Sequence, residues 1–197
     1  MTIHILEDII TKTEAEDIIS SFKTILKHVD TRPGFYEDPT KRDILEYEDA
    51  LKQNIEMGQV ESEAIAGAKV SNMLFKIKTE LEKFYNISLT KGEGGLARLV
   101  TGASNGLHSD MYQSNGSKWE DGTNRESELD HSALLYLSDH GTDFTGGEII
   151  FPQHKLSIKP KSGMLVFFRG DREHFHKVSK VLSGERHSIV AFLGGAM

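Results

Sequence analysis

The segment HFHKVSKVLSGERHSIVAFL, residues 174–193, holds two short runs rich in β-branched and aromatic residues on either side of Ser183 and Gly184. Such runs, separated by turn-forming residues, predict β-strands. Further runs of the same kind lie between residue 87 and this segment: LARLV, HSALLYLS, GEIIFP, LSIKP and MLVFFRG. Because these strands are short and closely spaced, we expect an antiparallel sandwich or barrel and not alternating β-α units.

Before residue 87 the apolar residues recur with helical spacing instead. One stripe is Ile18, Phe22, Ile25, Leu26 and Val29, and a second begins near Glu61 and contains Val70, Met73, Leu74, Ile77, Leu81 and Phe84. Thr13 with Glu16 has the form of a capping box for the first helix. TRPGFYEDPTKRD, residues 31–43, predicts a loop, and residues 43–59 predict a short or partial helix. The expected fold class is α+β in a single domain, with supporting helices over 1–86 and a β-barrel core over 87–197.

Composition excludes several classes of function. The chain has 197 residues and a net charge of -7, whereas proteins that bind nucleic acid need clustered Lys and Arg. It contains no cysteine, so it has no disulfide and no zinc-thiolate site. The N-terminus lacks the features of a signal peptide, and no apolar run reaches the length of a membrane span. We therefore expect a cytoplasmic protein that binds neither nucleic acid nor membrane.

His108 and Asp110, in GLHSDMYQ, are two residues apart, and on a strand such residues point to the same face. Alone, the pair is also compatible with a solvated strand face. His176 supplies a third ligand, with His174 as its competitor, and two His with one carboxylate predict a non-heme Fe(II) site. A metal-dependent hydrolase is an alternative use of these ligands. Arg186, ten residues later, is suited to binding the far carboxylate of a dicarboxylate in bidentate fashion.

The order of these motifs resembles the Fe(II)/2-oxoglutarate dioxygenases of the prolyl 4-hydroxylase superfamily over roughly residues 95–194. The motifs are His108-Ser109-Asp110, Gly146-Gly147-Glu148, and His176 followed by Val178, Val181, Gly184 and Arg186. The resemblance implies a double-stranded β-helix, a cupin-like jelly-roll, with Fe(II) bound by His108, Asp110 and His176. It also implies that Arg186 pairs with the C5 carboxylate of 2-oxoglutarate, and that Tyr136 shares this carboxylate. Ser188, two residues beyond Arg186, is a further candidate donor.

The implied reaction uses Fe(II), 2-oxoglutarate and O2, with ascorbate as a reductant, and gives succinate and CO2. The implied substrate is a C–H bond of a peptide or protein side chain such as proline. LARLVTGASNG lacks the Tyr that prolyl hydroxylases usually carry in the strand before H-x-D, which weakens the assignment of proline. A hydroxylase of a free amino acid or small metabolite is the alternative enzyme, and a non-catalytic metal- or ligand-binding jelly-roll module is the alternative outside enzymology.

Other residues carry weaker expectations. Arg98 is expected to form a salt bridge, although a pocket cation is the alternative. His187 should point away from Arg186, and Gly146 and Gly147 should form a turn. The segments 31–40 and 113–130 are candidate lids, with Tyr112 and Trp119 as candidates for the substrate entrance.

Overall fold

The computed structural model describes residues 3–25, 32–33, 42–46, 60–89, 91–111 and 130–195. Within these residues two α-helices are present, α1 (Lys12–Ile25) and α2 (Val60–Tyr85), and a short 3-10 helix spans Pro152–His154. The strands, in chain order, are β1 (His4–Leu6), β2 (Arg32–Pro33), β3 (Arg42–Glu46), β4 (Lys91–Val100), β5 (Asn105–His108), β6 (His131–Tyr136), β7 (Phe144–Gly146), β8 (Ile149–Phe151), β9 (Leu156–Ile158), β10 (Leu165–Arg169), β11 (His176–Val178) and β12 (Val181–Gly194).

The start of α1 differs from the predicted capping box. The reciprocal pair is Thr11 and Glu14: the Glu14 carboxylate accepts from the Thr11 backbone N–H at 2.7 Å, and the Thr11 hydroxyl accepts from the Glu14 N–H at 3.2 Å. The assignment to Thr13 and Glu16 was therefore wrong by two residues. The pattern recurs because Thr11 and Thr13 are each followed three residues later by Glu, and only the earlier pair precedes the first helical turn.

The strands form two antiparallel sheets, as predicted. The larger sheet has the order β1-β10-β6-β12-β4-β3-β2, with β7 also paired to β12, and the smaller has the order β5-β11-β8-β9. This arrangement is consistent with the expected jelly-roll core. The prediction failed at the start of 43–59, because residues 43–46 belong to β3, which pairs with β4. β2 likewise lies inside the predicted loop.

Strand β6 separates the two main apolar clusters, because its neighbouring side chains point to opposite faces. Ala133 and Leu135 share a buried cluster with Ile18 and Phe22 of α1 and with Ile77 and Leu81 of α2. Leu134 and Tyr136 belong instead to a cluster that also contains the smaller-sheet residues Ile149, Phe151 and Ile158. The apolar stripes predicted for the two helices thus contribute to the first cluster. The second cluster lies between the two sheets.

Neither helix of the described chain combines the length and the apolar character that crossing a membrane requires.

Candidate metal centre and co-substrate cavity

The three predicted metal ligands meet because two strands of the smaller sheet are neighbours. β5 and β11 are antiparallel, and the register places His108 directly opposite His176. Asp110 follows the end of β5, where the Met111 N–H donates to the Gly170 carbonyl at 3.1 Å. The Ser109 hydroxyl donates to the same carbonyl, also at 3.1 Å. These hydrogen bonds connect both chain neighbours of Asp110 to the Gly170 carbonyl.

His108, Asp110 and His176 each place a ligand atom within 4.8 Å of the others. The Nε2 atom of His108 lies 3.6 Å from one Asp110 oxygen, and the Nε2 atom of His176 lies 3.9 Å from the other. All three residues are buried, with 4–8% of their surface exposed. They therefore form a compact group of two imidazoles and one carboxylate, withdrawn from bulk water.

Backbone carbonyls orient both imidazoles. His108 Nδ1 lies 2.7 Å from the Gly106 carbonyl oxygen, and His176 Nδ1 lies 3.1 Å from the His174 carbonyl oxygen. Since a carbonyl oxygen only accepts, each Nδ1 carries the hydrogen and donates it. Each Nε2 then presents its lone pair toward Asp110, which is the tautomer that a metal-binding histidine requires.

Burial lowers the pKa of His176 to about 4, and the nearby His108 acts in the same direction, while the Asp110 carboxylate opposes the shift. At neutral pH the His176 ring is therefore uncharged and has a lone pair available for a metal. Two imidazoles with one carboxylate, brought together by adjacent strands, match the donor set of non-heme Fe(II) sites. The residues present thus fit an Fe(II) ion.

Arg186 lies on β12 of the larger sheet and is 2% exposed. Its Nη2 donates to the Tyr136 hydroxyl at 3.3 Å, and its guanidinium carbon lies 4.9 Å from the centre of the Tyr136 ring. Burial raises the pKa of Tyr136, against the opposing effect of Arg186, so the phenol stays neutral. This arrangement holds a buried positive charge in a defined orientation.

One cavity connects the metal ligands with Arg186. Its polar wall contains the triad, Arg186 and Ser188, together with Asn105 and Ser132, and its apolar wall consists of Ala97, Leu99, Leu134, Ile149, Val178, Val190 and Phe192. Tyr136 contacts Arg186 from behind and is not among the cavity-lining residues. The cavity therefore has the metal ligands on one wall and a cation on the facing sheet, an arrangement suited to a chelating dicarboxylate.

Sequence reasoning did not find Asn105 and Ser132. Asn105 lies three residues before His108, so strict strand alternation would place it on the opposite face. A register shift between β5 and β11 breaks that alternation, because Val178 pairs with Asn105 while His176 pairs with His108. Ser132 alternates with His131 and Ala133 inside an apolar run, where a serine gives little signal of a cavity position.

Several secondary predictions can be compared with the structure. His174 lies outside the metal-binding group, and its Nδ1 is 2.7 Å from Asp171 instead. Arg98 forms the predicted salt bridge, with Glu185. His187 points away from the cavity and is buried.

The lid candidates 31–40 and 113–130, with Tyr112 and Trp119, lie almost entirely outside the described residues, apart from Arg32, Pro33 and Asp130.

Comparison with known proteins agrees with this geometry. The model of the 2OG-Fe(II) oxygenase superfamily matches residues 94–194. A "2-oxoglutarate and iron-dependent oxygenase domain-containing protein 3" from Xenopus tropicalis is 31% identical over 121 residues, which is 58% of this chain and 36% of that protein. Human "Prolyl 3-hydroxylase 2" is 42% identical over 65 residues, which is 30% of this chain and 9% of that protein. The chain thus spans only about a third or less of the length of these relatives.

The fold is also similar to that of a Pseudomonas putida prolyl-4-hydroxylase, with a TM-score of 0.66 and 17% sequence identity. The alignment covers 98% of this chain and 91% of that one. The family model covers just over half of the chain and includes every predicted ligand and co-substrate residue. The resemblance read from the motifs is confirmed: the chain belongs to the 2OG-Fe(II) oxygenase superfamily.

Proposed function

We propose that this protein is an Fe(II)- and 2-oxoglutarate-dependent hydroxylase in which His108, Asp110 and His176 bind Fe(II) and Arg186 binds 2-oxoglutarate. The observation that carries the proposal is the single cavity lined by all four residues. A metal-binding module without turnover would have no evident use for a buried guanidinium in the same cavity. A hydrolase would likewise leave Arg186 without a role.

A bound Fe(II) ion would be held by His108, Asp110 and His176, a set of three protein ligands that is typical of sites where exogenous groups also bind the metal. When bound, Fe(II) and 2-oxoglutarate supply the oxidation: O2 delivers one oxygen atom to the substrate C–H bond and one to succinate, with loss of CO2. On metal binding, Asp110 would neutralise part of the charge of the ion, and His108 and His176 would supply the two nitrogen ligands. The carbonyls of Gly106 and His174 keep both rings in the binding tautomer.

Arg186 binds the distal carboxylate of 2-oxoglutarate through charge-assisted hydrogen bonds. Tyr136 keeps the guanidinium in place through the 3.3 Å hydrogen bond and the ring contact. The Ser188 hydroxyl is buried and, among the residues that the structure describes, has no hydrogen-bond partner, so it can donate to the same carboxylate. The apolar cavity wall excludes water, which strengthens these interactions.

The proposed substrate is a peptide or protein side chain, with proline as the leading candidate. The 42% identity to a protein named prolyl 3-hydroxylase 2 and the likeness to a prolyl-4-hydroxylase fold support it. We further propose that residues 1–197 act as one domain, with the N-terminal helices supporting a jelly-roll core. Ascorbate is assigned the role of a reductant that restores Fe(II).

The test is turnover on defined substrates. The protein is incubated with Fe(II), 2-oxoglutarate, ascorbate and O2, with a proline-containing peptide, the same peptide with Pro replaced by Ala, or free proline. We expect peptide-dependent succinate formation and a mass gain of one oxygen atom on the proline peptide alone. His108→Ala should abolish both signals, because the metal loses one of three ligands.

Oxidation of free proline but of neither peptide would replace the peptide proposal with the small-metabolite alternative. Oxidation of both peptides would place the target on another residue. Stoichiometric metal binding without succinate from any substrate, and without binding of 2-oxoglutarate, would contradict the oxygenase assignment itself.

A further inference from the structure

The outer face of the smaller sheet, which is turned away from the cavity, carries an open groove. Four residues line it: Leu107 of β5, Phe175 just before β11, and Pro152 and Gln153 of the 3-10 helix after β8. Leu107 is 46% exposed, and strand alternation explains this, because the neighbouring His108 points into the cavity. The groove has a volume of about 260 Å³. Since small-molecule pockets measure roughly 300–1,000 Å³, this groove suits a single side chain of a larger partner.

Hydrogen bonds keep the groove in shape. The Nε2 atom of Gln153 donates to the Arg172 carbonyl at 3.2 Å, and its Oε1 atom accepts from the Phe175 backbone N–H at 3.1 Å. The next residue, His154, has its Nε2 atom 2.8 Å from the Glu173 carbonyl oxygen. The 3-10 helix is therefore tied to the segment that leads into β11, and the groove exists before a partner binds.

The same face is basic in a chain that is acidic as a whole. Residues 149–180, which supply three strands of the smaller sheet, contain seven Lys or Arg and two Asp or Glu, whereas the chain has a net charge of -7. Lys177 is exposed at the centre of β11, and Lys155 and Lys159 are exposed at the two ends of β9. Within the part of the chain that the structure describes, these three lysines form no salt bridge. Their charges are therefore available to an acidic partner.

The place of β5 in the sheet favours an extended polypeptide as this partner. Among the described residues, β5 is an end strand of the smaller sheet and pairs with β11 alone. Because β5 carries Leu107 on the outer face and His108 on the cavity face, the groove is separated from the metal ligands by one strand width, about 4.8 Å. An extended segment in the groove can pass around this edge toward the cavity, a path that a lipid surface cannot follow.

We propose that this face is a docking surface for an acidic, extended segment of the protein substrate, which places one apolar side chain in the groove and its carboxylates near Lys155 and Lys177. The inference rests on the proposed function for the identity of the partner as the substrate, whereas binding of the segment needs neither metal nor turnover. Charge complementarity selects the acidic segment, and burial of the apolar side chain adds affinity. Because the contact lies away from the reacting bond, it lowers KM and leaves kcat unchanged.

The first measurement is peptide binding to the apo protein, followed by fluorescence anisotropy. The probe is a short fluorescein-labelled peptide of Asp, Glu and Ser with one central Leu. The double variant Lys155→Glu/Lys177→Glu should weaken binding by about 10-fold or more, because two attractions become repulsions. Replacing the peptide Leu by Ser should also weaken binding about 10-fold, and this change leaves the protein intact.

The matched control places the same charge change on another surface. Lys76→Glu/Lys83→Glu alters two lysines of α2, outside the smaller sheet, and should leave the affinity for the acidic peptide within twofold of wild type. Circular dichroism and thermal unfolding should be the same for both double variants and wild type, because the four lysines are at least partly exposed.

The second measurement connects the surface with turnover. The acidic Leu segment is joined by a Gly-Ser linker to the proline-containing peptide, and both peptides are compared as substrates. We expect the joined peptide to have a KM about 10-fold lower than the proline peptide alone, with the same kcat. Lys155→Glu/Lys177→Glu should remove this advantage and leave the kinetics of the proline peptide alone unchanged.

Equal binding of the acidic peptide to wild type and to Lys155→Glu/Lys177→Glu would overturn the proposal. Equal binding of a peptide with Asn and Gln in place of Asp and Glu would do the same. Tighter binding of phosphatidylserine vesicles or of a single-stranded oligonucleotide, lost in the lysine variant, would assign the face to another class of partner. Wild type that binds the acidic peptide but oxidises no proline peptide would contradict the proposed function, and with it the identity of the partner as the substrate.

Discussion

His187 lies between two cavity residues and yet faces the other side of β12. It is 2% exposed, and its ring meets that of Phe22 of α1 edge-on, at 6.3 Å between centroids. Its backbone N–H donates to the Ser138 hydroxyl at 2.8 Å. Strand alternation explains both faces at once: Arg186 and Ser188 line the cavity, while His187 packs under the helices. The motif that predicts Arg186 as a cavity residue therefore also predicts that His187, its neighbour in the chain, faces the opposite side of the strand.

We predict that His187 makes the stability of the fold depend on pH. Burial lowers the pKa of His187 to about 4, with Glu185 opposing the shift, whereas an unfolded histidine titrates near 6.5. Between these values the unfolded chain binds the proton and the folded chain does not. The contribution is therefore complete above about pH 6.5 and is lost as the pH falls toward 4, by at most about 3 kcal/mol.

The measurement is chemical denaturation of the apo protein at several pH values, comparing wild type with His187→Gln. Glutamine does not titrate, so the variant should lose less stability between pH 6.5 and pH 4. His176 titrates in the same window in both proteins, and the difference between them isolates His187. Identical slopes would show that His187 is not held neutral by burial.

The sequence motifs identified cavity residues where these residues stand at fixed spacings along the chain. The spacing of His108, Asp110, His176 and Arg186 selects those residues, and the fold brings them to one cavity. Asn105 was missed because its orientation depends on a register shift between two strands, which is a property of their pairing. The register of two paired strands depends on contacts between residues that are far apart in sequence, and a local motif does not contain these contacts.

Strand β12 changes partners along its length, and Gly184 lies where it does so. The strand pairs with β7 up to Gly184, then with β4 from Glu185 and with β6 from Ser188. Gly184 has φ of 77°, and a Cβ added there would lie 2.0 Å from the Asp143 carbonyl oxygen. Only glycine fits this position. Because Gly184 precedes Arg186 by two residues, its backbone conformation determines where the Arg186 side chain leaves the strand.

We predict that Gly184→Ala lowers the free energy of unfolding by about 2–4 kcal/mol, through both the left-handed backbone and the steric overlap. It should also weaken 2-oxoglutarate binding, because Arg186 shifts. Gly106→Ala is the matched control: a Cβ there meets nothing within 4 Å. The control should change stability by less than about 1 kcal/mol. Equal stabilities in urea denaturation would contradict the steric account.

Helix α2, whose apolar residues recur with clear helical spacing, was predicted from the sequence, whereas strand β3 was not. The second apolar stripe was expected to begin near Glu61, and α2 begins at Val60. β3 was not predicted, because RDILE has mixed polarity and no alternation, and its strand conformation comes from pairing with β4. Propensity alone cannot show that a neighbouring strand offers an open edge.

The two faces of α2 provide a direct test of helix docking. Ile77 is fully buried in the cluster shared with the larger sheet, whereas Phe75 is 70% exposed. We predict that Ile77→Ala costs about 2–5 kcal/mol, while Phe75→Ala changes stability by about 0.5 kcal/mol or less. Urea denaturation measures both. Comparable losses for the two variants would mean that α2 does not bury this face against the sheet.

At the scale of the whole molecule, two sheets bring together groups that are far apart in sequence. The metal ligands come from the smaller sheet and its flank, the cation comes from the larger sheet, and the cavity lies between them. The helices cover the opposite face of the larger sheet through a separate apolar cluster. Among the described residues, those of the two helices contribute to this cluster and none of them lines the cavity.

The central claim is that one cavity binds Fe(II) through His108, Asp110 and His176 and binds 2-oxoglutarate through Arg186. The most direct measurement is an anaerobic titration of the apo protein with Fe(II) and 2-oxoglutarate, following the charge-transfer absorption. His108→Ala and Arg186→Ala are run in parallel, with the exposed His154→Ala as control. The account predicts absorption in wild type and the control, none without His108, and a much weaker affinity without Arg186. Folded, metal-loaded wild type without absorption, or absorption that survives loss of His108, would contradict it.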